Sequence, residues 1–240
     1  MTFMKKFIWL LLLTGTMSPA FAQDPVPSDQ KVNLSLFAGT GVMWAGSRDK
    51  DQVSSSGAKF LFNYGLNIDY RLGRNYDFST GINHLMGGSG LSYLQDSINF
   101  RSLADTVKNR LGPNALVKYK LQYIQIPLLL KLKTNEIGYS TYFLEFGLTP
   151  GINIRSIADI ETHNNSNLNP TNVKFNKDVA FANLDFTAGA GWHYSLTGNT
   201  ALIVFLQFHN GLIDFTRDDE PNNTAATVLR SLLLGAGFGF

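Results

Sequence analysis

The last stretch of the chain, residues 227–240 (TVLRSLLLGAGFGF), constrains the fold most strongly because its alternate positions differ in character. One set is mostly apolar and ends in Phe238 and Phe240, whereas the last three members of the other set are glycines. Alternate side chains of a β-strand point to opposite faces, and a face with almost no side chains suits the interior of a narrow barrel. Tilted by about 45°, such a strand rises roughly 33 Å, enough to cross a membrane. The stretch therefore predicts a transmembrane β-strand rather than an edge strand of a soluble domain.

The composition also favours a membrane barrel. Charged residues make up 16% of the chain, whereas about 25% is usual in soluble domains. The sequence contains 22 glycines and no cysteine. We therefore expect no disulfide, no zinc–thiolate site and no lipid anchor on a cysteine.

The N-terminal segment has the pattern of an export signal. Two lysines precede an apolar run at 7–13, and an Ala-Phe-Ala sequence predicts cleavage between Ala22 and Gln23. Loss of Lys5 and Lys6 would change the formal net charge to 2 − 2 = 0, so we expect no nucleic-acid partner. The predicted divisions are a cleaved signal peptide (1–22), a short periplasmic leader (23–31) and an outer-membrane barrel (32–240).

Eight segments show the alternation expected of barrel strands. They are 32–44, 59–72, 76–86, 118–133, 139–155, 179–196, 200–213 and 227–240. Their connections alternate between long and short, as in outer-membrane barrels with long extracellular loops and tight periplasmic turns. The predicted fold is all-β, an eight-stranded antiparallel up-and-down transmembrane β-barrel with both ends in the periplasm.

Two long connections and one strand admit more than one interpretation. In the connection 87–117, apolar residues between Phe100 and Leu111 fall at helical spacing, which predicts a rim helix; the alternative is a hairpin that extends beyond the membrane. The connection 156–178 is rich in asparagine and is predicted to be a solvated loop. In the fourth strand, Pro127 lacks an amide donor, so we expect a bulge there that shifts the alternation.

Three segments of the predicted barrel resemble the PorT-like family of outer-membrane β-barrel proteins. They are YIQIPLLLK (123–131), NLDFTAGAGWHY (183–194) and LQFHNGLIDF (206–215). The resemblance implies an outer-membrane barrel, and one family member is associated with type IX secretion and gliding. The motifs look like strand-building features, so the resemblance does not by itself imply that role.

Seven polar residues are predicted to face the barrel interior. They are Asp69, Arg71, Asp77, Glu145, Asp185, His193 and His209. They could form a selective conduit, but an eight-stranded barrel is only wide enough for its own side chains. Buried charges also persist only when they are paired, so we expect a packed network of hydrogen bonds and ion pairs.

No arrangement in the sequence favours catalysis. His193 and Ser195 share a face, as a His–Ser pair would, but that face is predicted to point inward at the periplasmic end. His84 is predicted to lie outward with Ser89 nearby and no orienting acid. We therefore expect no enzyme activity, no cofactor and no metal site.

The expected partners follow from the location in the cell outer membrane. Arg230 is the one charge on the lipid face of the last strand and is expected to contact a lipopolysaccharide phosphate near the rim. We expect the C-terminal strand to engage the barrel-assembly machinery. The predicted function is a structural or binding role through loops 87–117 and 156–178; the alternatives are an accessory factor of secretion, with secretion-system partners, and a narrow porin.

Overall fold

A computed structural model describes residues 31–47, 51–94, 115–161, 169–196, 200–217 and 226–240. Within these ranges the regular elements are strands: β1 (Val32–Ser47), β2 (Val53–Arg71), β3 (Tyr76–Tyr93), β4 (Ala115–Gln125), β5 (Leu128–Lys133), β6 (Ser140–Glu161), β7 (Val173–Lys174), β8 (Ala182–Ser195), β9 (Ala201–Gly211) and β10 (Thr227–Gly239). In the same ranges, no helix has the length and apolar character needed to cross a membrane. The predicted signal peptide, its cleavage site and leader residues 23–30 lie outside the described residues.

The strands form a closed antiparallel barrel. β1 pairs with β2 on one side and with β10 on the other, which joins the two ends of the sheet. β4 and β5 act as one barrel strand because both lie between β3 and β6, and the short β7 pairs only with the end of β6. The prediction of an eight-stranded up-and-down barrel is confirmed.

The alternation sorts side chains as predicted. On β10, Leu232, Leu234 and Phe238 are exposed on the outer wall, whereas Ser231 and Leu233 are buried in the lumen. The other barrel strands follow the same rule, with apolar side chains exposed outward. This outer surface is the one that lipid covers in a transmembrane barrel.

Several strands extend further than predicted at the end with the longer connections, which is the extracellular end. β3 continues to Tyr93, which pairs with Ala115 at the start of β4. β6 continues to Glu161, so residues predicted as loop are partly strand. The hairpin interpretation of 87–117 is confirmed for residues 87–93 and 115–117, and the proposed helix lies outside the described residues.

The predicted bulge at Pro127 is wrong. The β3 register is the same on both sides of it, since Asn83 pairs with Gln125 and Thr80 with Leu128. The irregularity lies instead on β6, opposite Gln122 and Tyr123. The β4–β5 strand therefore keeps one phase throughout, and every odd-numbered residue from 115 to 131 is buried.

Candidate functional site

Lys131 on β5 is the central charge of the lumen. Its ammonium donates to Asp69 Oδ2 at 2.7 Å and lies 3.8 Å from Glu145 Oε2, and each of the three side chains is at most 5% exposed. Gln207 donates to the other Glu145 oxygen at 2.6 Å. The buried ions are therefore paired and hydrogen-bonded, which is the condition for keeping charge out of water.

The periplasmic mouth of the lumen is charged and open. Lys133 pairs with Asp77 at 2.5 Å, and Arg71 faces Asp77 across the β2–β3 ladder. A cavity of about 500 Å³ lies here, and its lining also includes Arg74 and Glu136. The described residues therefore leave space for water at this end of the barrel.

Three phenylalanine rings fill the lumen above the mouth. Phe37 meets Phe205 edge-on with ring centroids 5.4 Å apart, and the Lys131 ammonium lies 4.8 Å from the Phe143 ring centroid. The neighbouring strands leave room for Phe143 and Phe205 because the inward residues paired with them are glycines. A Cβ placed on Gly191 would lie 2.2 Å from Phe143, and one on Gly235 would lie 2.3 Å from Phe205.

A second polar layer crosses the middle of the barrel. Asp185 accepts hydrogen bonds from Gln125 at 3.0 Å and from Asn183 at 2.8 Å. The Thr187 hydroxyl and His209 Nδ1 are 3.0 Å apart. These contacts join β4, β8 and β9 across the lumen.

The structure places all seven predicted polar residues at the inner wall, in two groups. Asp69, Arg71, Asp77, Glu145 and His193 lie toward the periplasmic end, and Asp185 and His209 lie in the middle layer.

Sequence reasoning missed Lys131 and Lys133, which are the counterions of the first group. Both lysines have odd numbers, as does Gln125, which faces inward on the same barrel strand. Without the assumed phase shift at Pro127, the alternation would have predicted that both lysines face inward.

The three motifs that carry the family resemblance supply much of this lumen network. Gln125 and Lys131 belong to the first motif, Asp185 and Thr187 to the second, and His209 to the third. Their hydrogen bonds run from one motif to another, as between Gln125 and Asp185. The motifs therefore build the interior of the barrel.

The lumen contains no wide passage in the described part of the barrel. Two interior cavities, one beside Asp185 and one beside Phe143, have volumes of about 10 Å³ each. A cavity of that size holds at most about one water molecule. The packing at these levels is therefore that of a protein core.

An apolar cluster closes the extracellular end. Tyr93, Tyr119, Phe175 and Phe215 are at most 1% exposed. The Tyr119 ring lies 5.8 Å from Phe175 and 5.5 Å from Phe215, both edge-on, and its hydroxyl is 2.9 Å from that of Tyr93. We call this cluster and the strand ends and connections that carry it (residues 87–93, 115–121, 156–161, 169–181 and 212–217) the extracellular cap.

Backbone hydrogen bonds hold the cap segments together. The Ala180 amide donates to the Phe215 carbonyl at 2.8 Å, and the Arg217 amide donates to the Asp178 carbonyl at 2.9 Å. The Phe175 amide donates to the Ser156 carbonyl at 2.9 Å. The described parts of these connections thus form one packed layer rather than separate loops.

The candidate catalytic pairs are not assembled. The Ser195 hydroxyl donates to Glu136 at 2.9 Å, and the His193 ring packs 4.8 Å from the Phe143 ring. His84 shares a 2.9 Å hydrogen bond with Tyr64 on the outer wall. Ser89 is fully buried on the inner side of the same strand. Among the described residues, no three histidine or acidic side chains are grouped as a metal site.

Arg230 lies on the outer wall at the extracellular end of β10. Its Nε donates to Asn210 Oδ1 at 2.9 Å, and its guanidinium would lie 3.2 Å from a Cβ on Gly46. Trp44 is its cross-strand neighbour on β1. The side chain is exposed there, and its contact with a lipopolysaccharide phosphate stays a prediction.

The comparison with protein families identifies the type of fold. The family model described as outer membrane protein beta-barrel domain matches residues 21–217. Among curated proteins, no sequence matches the chain.

The similar solved structures are bacterial proteins with low sequence identity to this chain. Neisserial surface protein A is 15% identical with a TM-score of 0.45, covering 88% of this chain and 96% of its own. OprG of Pseudomonas aeruginosa is 9% identical with a TM-score of 0.41, covering 90% and 98%. Ail of Yersinia pestis, in complex with the heparin analogue sucrose octasulfate, is 14% identical with a TM-score of 0.34, covering 87% and 99%.

Proposed function

Because the chain belongs to the outer membrane protein beta-barrel domain family and is located in the cell outer membrane, we propose that it is a non-conducting, non-enzymatic binding protein that acts through its extracellular cap. The barrel serves as a rigid membrane support. The cap presents the contact surface for partners outside the cell.

The observation that carries this proposal is the packing of the cap. Tyr119 lies at its centre, in contact with rings from two different connections. A packed layer keeps its outer surface in one arrangement, which reduces the entropy lost when a partner binds. The same rings block the lumen, so the cap favours a binding role over conduction.

We expect the reconstituted protein to give no stable single-channel steps in planar bilayers. Phe37, Phe143 and Phe205 fill the lumen, and the cap closes its outer end. The measurement is current at constant voltage in symmetric potassium chloride, with a trimeric porin in a separate membrane of the same lipid composition as a positive control. Stable steps from this protein would overturn the packed-lumen proposal and favour a narrow porin.

The second candidate is a role in protein secretion, the role associated with one member of the PorT-like family that the chain resembles. It is favoured by the open, charged periplasmic mouth, where Arg74 and Glu136 line a cavity of about 500 Å³. A periplasmic component of a secretion system could bind there. The two candidates therefore place the partner on opposite sides of the membrane.

Site-specific crosslinking in cells distinguishes the two sides. A photoreactive residue replaces Thr171, exposed in the cap, or Glu136, exposed at the periplasmic mouth. We expect a defined crosslinked partner from position 171 and none from position 136, because the cap is the proposed contact surface. Crosslinks from position 136 to components of a secretion system, with none from 171, would favour the secretion role.

A further inference from the structure

Three lysines converge on the outer wall at the extracellular end of the barrel. Lys118 and Lys120 project outward from β4, and the Lys59 ammonium of β2 lies 3.3 Å from the Tyr119 carbonyl oxygen of β4. The strand between them, β3, carries glycine at position 88. A Cβ on Gly88 would lie 2.1 Å from the same carbonyl oxygen, so the glycine leaves Lys59 the space to reach across β3. We call Lys59, Lys118 and Lys120 the basic sector.

Among the described residues, Lys59 is the member of the basic sector that forms no ion pair. Lys118 pairs with Glu161, and Lys120 lies 2.7 Å from Asp159. Among the described residues, no carboxylate lies within ion-pair distance of Lys59. An incoming anion would therefore stabilise the charged form of Lys59.

Among the described residues that face outward on the barrel strands at this end, positive charge is concentrated on one side of the barrel. Arg155 and Lys174 lie exposed on β6 and β7 beside the basic sector, which makes five cations against Asp159 and Glu161. On the opposite wall, formed by β8, β9, β10 and β1, Arg230 is the single outward cation of those strands. The basic sector is thus a local site and not part of a uniform ring.

The basic sector lies at the height of lipid headgroups. Toward the membrane centre, the outward residues of β4 change from polar to apolar: Lys120 and Gln122 are followed by Ile124. Ile126, just beyond the end of β4, is exposed on the outer wall. Four residues of tilted strand place Lys120 roughly 9 Å above Ile124. The interfacial zone of a bilayer is about 5–8 Å deep on each side. Lys120 therefore lies near the outer edge of this zone, where its long side chain can reach the headgroups of the outer leaflet.

We propose that the basic sector binds a phosphate group on the headgroup of lipopolysaccharide in the outer leaflet. The negative charge of a phosphate would balance the excess of cations around the basic sector. Lysine ammonium groups are also common phosphate ligands. The outer-leaflet lipid, rather than free phosphate, is the ligand because the site faces sideways into the headgroup zone. The site is separate from Arg230 and independent of whether the lumen conducts.

The test is the affinity of the detergent-purified protein for lipopolysaccharide, measured by native mass spectrometry. We expect removal of the lipid A phosphates to weaken binding. Lys59→Gln should weaken it by roughly fivefold, and substitution of all three lysines by glutamine by roughly a hundredfold. Lys59→Arg, which keeps the cation, should retain binding. Arg74→Gln removes an exposed cation at the periplasmic end and should leave binding unchanged.

Three outcomes would overturn the proposal. One is equal binding of intact and dephosphorylated lipopolysaccharide by the natural protein, a measurement that needs no variant to fold. Another is unchanged binding by a folded Lys59→Gln variant. The third is competition by inorganic phosphate at the affinity of the lipid, which would indicate a site for small anions. If the lipopolysaccharide-binding test fails, the interpretation of the conductance and crosslinking experiments does not change, because neither depends on the basic sector.

Discussion

Replacing Lys131 by methionine is expected to lower the free energy of unfolding by about 3–5 kcal/mol. The substitution leaves Asp69 and Glu145 buried without their shared cation. A buried carboxylate that loses its partner keeps its desolvation penalty and loses the attraction that offset it. The measurement is equilibrium unfolding by urea of the barrel in lipid vesicles.

Two further variants test the cause. Lys118→Met removes an exposed ion pair, whose members are 37% and 50% exposed, and should change stability by less than about 1 kcal/mol. Adding Asp69→Asn and Glu145→Gln to the Lys131 variant should recover much of the loss, because no unpaired charge remains. A loss below about 1 kcal/mol for Lys131→Met alone would show that the lumen pair is not tightly buried.

Replacing Gly41 by valine is expected to destabilise the barrel by about 1–3 kcal/mol. Gly41 lies on β1 where it pairs with β10, and a Cβ there would lie 1.9 Å from the Leu232 carbonyl oxygen. The clash is with backbone, so no rotamer change relieves it and the two strands must separate. Urea unfolding in vesicles and the fraction of folded protein on unheated gels both report the effect.

Ala38→Val provides the matched control for Gly41. Ala38 lies on the same strand and is exposed on the outer wall, so added methyl groups meet lipid instead of backbone. We expect its free energy of unfolding to stay within about 0.5 kcal/mol of the natural protein. If the two variants were equally stable, the close approach of β1 and β10 would not limit the packing.

The register of the β4–β5 strand shows where sequence reasoning failed. Pro127 lacks an amide donor, which is a sound local reason to expect a bulge. In the barrel the neighbouring Ile126 amide donates to the Pro150 carbonyl, and the strand keeps its phase past the proline. The expected bulge hid the inward direction of Lys131, which follows only when the alternation of the strand continues unchanged past Pro127.

The extracellular cap was beyond sequence reasoning for a different reason. Phe175 and Phe215 lie in connections that look polar, and neither sits in a regular alternation. They are buried because tertiary folding brings both rings against Tyr119. Contacts between residues so distant in the chain leave no periodic signal.

The sequence by itself determined the barrel, its strand number and the direction of most side chains, because a period of two is a local property of an extended chain between lipid and lumen. Only the tertiary structure decided which charges meet, where the bulge lies and how the connections close the outer end. Those features depend on register between strands and on packing across the lumen. Lys131 and Asp69 are 62 residues apart in the chain, and nothing local to either residue indicates the other.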